Sequence, residues 1–320
     1  MPPEPRRPSP HLLTTGALAL AVVAVSSSAP LIAFAAAPAL AVAFWRNLLS
    51  VTVLGPFTLA RRRAELRSLV TGAGRREGLF CVLSGVALAA HFATWMPSAK
   101  LTSVAAATAL VATQPVWQGL IARTQGRRLP LGVWAGIGVA VVGAVLATGA
   151  DFTVSGTAFA GDLLAIAGGI FVAVYTALGE RARVTVSTAT YTTICYGVCA
   201  LILLVVCLVA RVPLGGYDTG TWLAVLALVG GAQLLGHSMF NYALRRVSAT
   251  TVSVLILLEA PGAALLGWAW LGQLPDPMTL PGLALLLAGV AVVVLSSART
   301  ARRAARIATA VPADPTPLPD

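Results

Sequence analysis

Glu259 stands inside an unbroken apolar run from Thr250 to Leu266, two residues ahead of Pro261. A carboxylate so placed lies near the middle of a bilayer, where an ionised group costs at least ~2.5 kcal/mol. Such a group can exchange a proton, hold a substrate ammonium, or pair with another buried charge. Arg46 is the basic counterpart, about eight residues into an earlier apolar run. A buried guanidinium needs an acceptor, and the two candidates are Glu259 and a substrate carboxylate. His91 and His237 offer imidazoles that could relay protons or could serve as two equivalent helix-to-helix hydrogen bonds. Asn241, one turn after His237, presents an amide on the same helical face. Trp95, one turn after His91, supplies an aromatic wall. Gln114 immediately precedes Pro115, so its amide is expected to meet carbonyls that the proline leaves without a donor. No second ligand at helical spacing accompanies either histidine, and no Cys/His cluster occurs, so neither a metal nor another cofactor is expected.

The elements that carry these groups are membrane helices. Apolar residues make up 58% of the chain and charged residues only 10%, far too few to cover a soluble surface of 320 residues. Mean hydropathy is +0.85. Apolar windows fall at 12–36, 38–59, 78–98, 102–123, 131–148, 161–179, 187–210, 221–244, 248–271 and 279–297. Each suffices for one crossing at about 1.5 Å per residue. The expected fold is therefore an all-α polytopic membrane protein with ten transmembrane helices. Arg6 and Arg7 precede the first window as in a secretory signal, but the run is too long for one and is read as a retained helix.

The net charge of +11 marks topology rather than a nucleic-acid partner. With both termini cytoplasmic, 19 of the 22 basic residues fall on that side, which decides the orientation under the positive-inside rule. The expected location is the plasma (inner) membrane, with the bilayer as the constant partner. Residues 1–11 are read as a disordered N-terminus and 298–320 as a basic, then proline-rich, tail. The four cysteines lie within apolar runs and read as small hydrophobes. Span five carries Gly132-Val-Trp-Ala-Gly136, a small-residue face suited to tight packing in the bundle or to a homodimer seam.

Shifting the chain by 146 positions aligns it with itself. His91 meets His237, Thr102 meets Ser248, Pro115 meets Pro261, and Gly126, Gly136 and Gly143 meet Gly272, Gly282 and Gly289. Residues 12–150 and 151–297 thus form two repeats of five spans. An odd number of spans makes the second repeat enter the membrane from the opposite side, an inverted topology that suits alternating access.

Several stretches together carry a family resemblance: Ala43-Phe-Trp-Arg-Asn-Leu-Leu49, Ala90-His-Phe-Ala-Thr-Trp-Met-Pro-Ser-Ala-Lys-Leu-Thr102, Thr113-Gln-Pro-Val116, Phe240-Asn-Tyr-Ala-Leu244 and Leu257-Leu-Glu-Ala-Pro-Gly262. Over residues 12–297 the chain resembles the EamA family of the drug/metabolite transporter superfamily, ten-helix proteins with two EamA repeats. It departs from that family in lacking a Gly-Glu pair after spans four and nine and in placing Ala260 between Glu259 and Pro261. The resemblance implies no enzyme but a secondary transporter, an exporter of small metabolites such as amino acids or related polar solutes. Its midplane site would lie near Gln114–Pro115 and Glu259–Pro261, with solute and protons as partners. The alternatives are a multidrug exporter of the same superfamily or an intramembrane enzyme acting on a lipid-linked substrate.

Overall fold

A computed structural model describes residues 10–102, 104–148, 156–271 and 277–310. Fifteen α-helices occur among them: α1 Pro10–Ser26, α2 Ser28–Phe34, α3 Ala39–Arg61, α4 Arg63–Thr71, α5 Arg75–Leu101, α6 Val104–Val111, α7 Gln114–Thr124, α8 Leu131–Thr148, α9 Gly156–Ala182, α10 Thr188–Val209, α11 Thr219–Leu228, α12 Ser238–Ala243, α13 Ala249–Ile256, α14 Glu259–Leu271 and α15 Leu280–Ala310. A π-helical segment, Val229–His237, joins α11 to α12. Of the expected terminal segments, 1–11 and 298–320, residues 1–9 and 311–320 lie outside the described residues, while 10–11 begin α1 and 298–310 end α15.

Eight helical stretches are long and apolar enough to cross a membrane. They correspond to the first three and last five expected spans. The expected fifth is a shorter apolar helix, Leu131–Ala147. The expected fourth is divided into α6 and α7, each too short to cross alone. Large apolar side chains such as Val23, Leu163, Leu201, Leu208 and Leu223 are exposed on the bundle's outside, as a lipid-facing surface requires.

The two helix breaks fall ahead of the prolines, not after them. Around the first, Thr113 N–H bonds Leu110 O and Val116 N–H bonds Thr113 O; around the second, Leu257 N–H bonds Val254 O and Leu258 N–H bonds Leu255 O. Each chain tightens to three-residue bonds and then restarts as α7 or α14. Pro115 and Pro261 therefore occupy the first turn of a new helix, where a missing N–H leaves no bond unmade. Proline determines where the second half starts, and the carbonyls at the end of the first half are the ones left open.

Packing repeats with the sequence. α5 lies along α9, and α1 lies along the π segment and α12. A shift of 146 residues carries one of these contacts onto the other, exchanging the halves as a two-fold axis requires. α8 and α15 pack as a symmetric pair. A Cβ on Gly143 would strike the backbone of Leu286, and one on Gly289 would strike that of Ala140; the two contacts are equivalent under the same shift. The small-residue face of span five is thus used inside the chain and gives no support to a dimer seam.

Candidate functional site

Polar side chains from several helices meet in the interior. α3 brings Arg46 and Asn47, both buried, and the π segment brings Gln233. Arg46 Nε donates to Gln233 Oε1 at 2.7 Å, and Gln233 Nε2 donates to Asn47 Oδ1 at 3.1 Å. The Arg46 guanidinium also lies 5.3 Å from the centre of the Phe92 ring. Its Nη2 is buried with no hydrogen-bond partner. A buried donor left unmade costs about 1–3 kcal/mol or more for a charged group, so this end of the fork lacks an acceptor among the described residues.

Arg46 and Glu259 do not form the ion pair entertained from sequence. Among the described residues, the salt bridge found is Arg127–Glu180. Glu259 is half-buried at the start of α14, and its carboxyl makes no hydrogen bond among the described residues. Arg46 is near enough to Glu259, His91 and His237 for its charge to act on each.

The two histidines, equivalent in sequence, are not equivalent here. His91 Nδ1 is 2.9 Å from Gly168 O, tying α5 to α9, and its ring stacks on Trp95 with centroids 5.7 Å apart. His237 is half-buried and makes no hydrogen bond among the described residues. It ends the π segment, whose wider turn rotates the residues that follow. The helix-to-helix bond expected twice occurs once.

Asn241 is buried, and its amide is occupied within the protein. Tyr175 Oη donates to Asn241 Oδ1 at 3.0 Å, and Asn241 Nδ2 donates to Tyr196 Oη at 3.4 Å. Its role is to hold α9, α10 and α12 together rather than to present a free amide. Gln114 Nε2 reaches Thr176 Oγ1 at 3.4 Å, leaving Gln114 Oε1 without a partner among the described residues. A Cβ on Gly169 of α9 would lie 3.3 Å from the carbonyl of Val111 at the first break.

Sequence reasoning missed several groups. Tyr175, Tyr196 and Ser238 continue the network: Tyr196 Oη and Ser238 Oγ are 3.2 Å apart. They are hydroxyls among apolar residues, and nothing in their spacing separates them from lipid-facing positions. Gln118, one turn after Gln114, is fully buried with neither amide atom partnered. Its spacing from Gln114 was the available signal.

At the helix ends the charges do structural work that a topology count overlooks. Arg183 is buried and donates to Asn241 O at 2.9 Å, to Val186 O and to Thr188 Oγ1. Burial, with the charge of Arg245, pulls its pKa down to about 10, so it stays protonated near neutral pH. Glu65 of α4 accepts from Ser187 N–H at 2.6 Å, Ser187 Oγ and Thr190 Oγ1, capping α10. Partial burial pushes that carboxyl up, but these bonds and Arg62 outweigh it and hold it below its ordinary value. No group of three His, Cys, Asp or Glu among the described residues could hold a metal ion.

A model of the EamA-like transporter family matches residues 13–149 and again 159–295, two segments displaced by the same 146 residues. The chain belongs to the EamA-like transporter family. No curated protein matches it. A protein of known crystal structure superposes with a TM-score of 0.76 at 22% identity, covering 91% of this chain and 99% of its own, which shows the shared fold. This EamA protein is accordingly a multi-pass membrane protein of the drug/metabolite transporter superfamily. The EamA-like family is a family of transporters, not of enzymes.

Proposed function

We propose that this chain is a secondary exporter of small zwitterionic metabolites, amino acids or close relatives. The observation that carries the reading is the open Nη2 of Arg46, buried in an interior it shares with the unpartnered carboxyl of Glu259. A solute carboxylate would complete the Arg46 fork, whose rigid donors match a carboxylate. The solute ammonium would face Glu259. Gln114 Oε1 is a further acceptor, and the stacked His91 and Trp95 form a flat wall for an apolar side chain.

In this reading α6–α7 and α8 complete a ten-span bundle of two inverted repeats, residues 12–150 and 151–297. It sits in the plasma membrane with both termini in the cytoplasm. The arginine bias of the loops supports that orientation. The half-helix starts at Gln114 and Glu259 flank the solute, as in transporters with discontinuous helices. The repeats rock about it, and Glu259 exchanges a proton when the solute leaves.

The test compares cells expressing wild type, Glu259→Gln at matched abundance, and empty vector, by profiling metabolites in cytosol and medium. Amino-acid-like solutes are expected to move outward with wild type alone. A transported solute lacking both charges would defeat the zwitterion assignment, and unaltered export by Glu259→Gln would remove Glu259 from the cycle.

A further inference from the structure

The turn between α7 and α8 carries three arginines, Arg123, Arg127 and Arg128. Arg127 is occupied, donating to both oxygens of Glu180 and to Gln125 Oε1. Arg123 and Arg128 are exposed and have no side-chain partner among the described residues. Together with Gly126, Leu129 and Trp134 they line a cavity of about 610 Å³. None of the interior groups assigned to the solute lines it. The cavity is therefore separate from the proposed transport site.

Its chemistry is that of an anion site at the membrane surface. α8 begins at Leu131, and the N–H groups of Val133 and Trp134 turn back to Pro130 O. Those of Leu131 and Gly132 make no hydrogen bond among the described residues, so the end of α8 beside the cavity carries a positive partial charge. The indole of Trp134 belongs to the type that settles at headgroup depth. Outside the rim the surface turns apolar at once, with Leu131 84% and Leu120 43% exposed. A ligand with a phosphate at one end and hydrocarbon at the other satisfies both surfaces, whereas a free phosphate uses only the first.

We propose that this cavity binds a phosphate-bearing anion, the headgroup of an anionic phospholipid, with Arg123 and Arg128 on the phosphate oxygens. Basic pockets at the ends of transmembrane helices recognise such headgroups, and arginine forks suit them. The lipid would anchor the start of α8, which packs against α15 along its length.

The test is native mass spectrometry of the full chain in detergent, offered equal phosphatidylglycerol and phosphatidylcholine. Wild type is expected to retain phosphatidylglycerol preferentially. Arg123→Gln/Arg128→Gln should lose that preference about tenfold, while Arg67→Gln, an exposed arginine elsewhere, should keep it. If the double variant does not fold, Arg128→Gln alone carries the test, with about a threefold loss expected. Retention by the pocket variant equal to wild type, or equal loss in Arg67→Gln, overturns the site. A second arm adds inorganic phosphate in excess; displacement of the lipid by phosphate overturns the lipid assignment in favour of a soluble anion.

Discussion

Arg46 and Gln233 stand 187 residues apart in the chain and 2.7 Å apart in the fold. The bond joins the two repeats at the buried guanidinium and leaves one end of its fork open. Replacing Gln233 by Leu strands Nε in the interior and is expected to lower stability by about 1–3 kcal/mol. Replacing it by Glu keeps an acceptor but adds a carboxylate beside Arg46. Because Gln233→Glu also loses the Nε2 donor to Asn47 Oδ1, its melting temperature in detergent should fall below wild type but stay above that of Gln233→Leu, while solute counterflow in proteoliposomes drops tenfold or more. Wild-type counterflow in that variant would show that the charge at Arg46 is not read by the solute.

The glycine seam between α8 and α15 yields a matched pair of expectations. Gly143→Ala and Gly289→Ala each drive a methyl group into opposing backbone, which cannot move as a side-chain tip can. Each should cost about 1–3 kcal/mol, the usual range for overpacking. Gly138, in the same helix as Gly143, has open space around its missing Cβ. Gly138→Ala should stay within ~0.5 kcal/mol of wild type. Thermal unfolding of all three separates the seam from a general need for glycine in α8.

Glu65 makes stability depend on acid. Its folded pKa lies below the ordinary value of 4.5, so the contribution is present above that value and is lost as pH falls through the folded pKa. The carboxyl is only half-buried, and screening limits the effect to about 1 kcal/mol or less. Glu65→Gln should be less stable than wild type at pH 7 and converge on it as the pH falls below 4.5 and through the folded pKa. A stability gap unchanged between those pH values would mean that the cap at Ser187 does not need the charge.

The helices and their repeat were legible because hydrophobic length and a constant offset are properties of the chain itself. The division at Pro115 and Pro261 was legible too, but its position was not. A proline can end one helix or start the next, and the three-residue bonds at Thr113 and Leu257 decide between them. The charged pair was misjudged because sequence shows depth but not azimuth. Arg46 and Glu259 share a depth, yet the guanidinium turns toward the π segment and Gln233. That segment was itself invisible, since its extra backbone residue leaves the apolar pattern of span eight almost unchanged. Asn241 illustrates the same limit: an amide beside a titratable residue reads as a ligand until two tyrosines from other helices prove to hold it.

Glu180, at the end of α9, joins the repeats on the arginine-rich side. It accepts from Arg127 Nη2 at 2.6 Å and from the backbone N–H of Ala249 at 3.1 Å, while α7 packs along α13 just above. Its counterpart under the 146-residue shift is Phe34, which is 68% exposed and cannot accept such bonds. The two ends of the bundle therefore differ in this link, and in the proposed rocking cycle the contacts of Glu180 would favour the state in which the arginine-rich end is shut. Because Arg127 is 39% exposed, Glu180→Gln should cost only about 1 kcal/mol of stability. A change of that size still moves a two-state ratio about fivefold. The readout is thiol labelling of Ser253→Cys, a buried position on α13, in a chain whose four native cysteines are also buried. Added from the arginine-rich side, a water-soluble maleimide should modify the cysteine several times faster when Glu180→Gln is present. Equal rates in the two backgrounds would mean that the end is held shut by helix packing alone, and Glu180 would then be a cap for α13 rather than a latch.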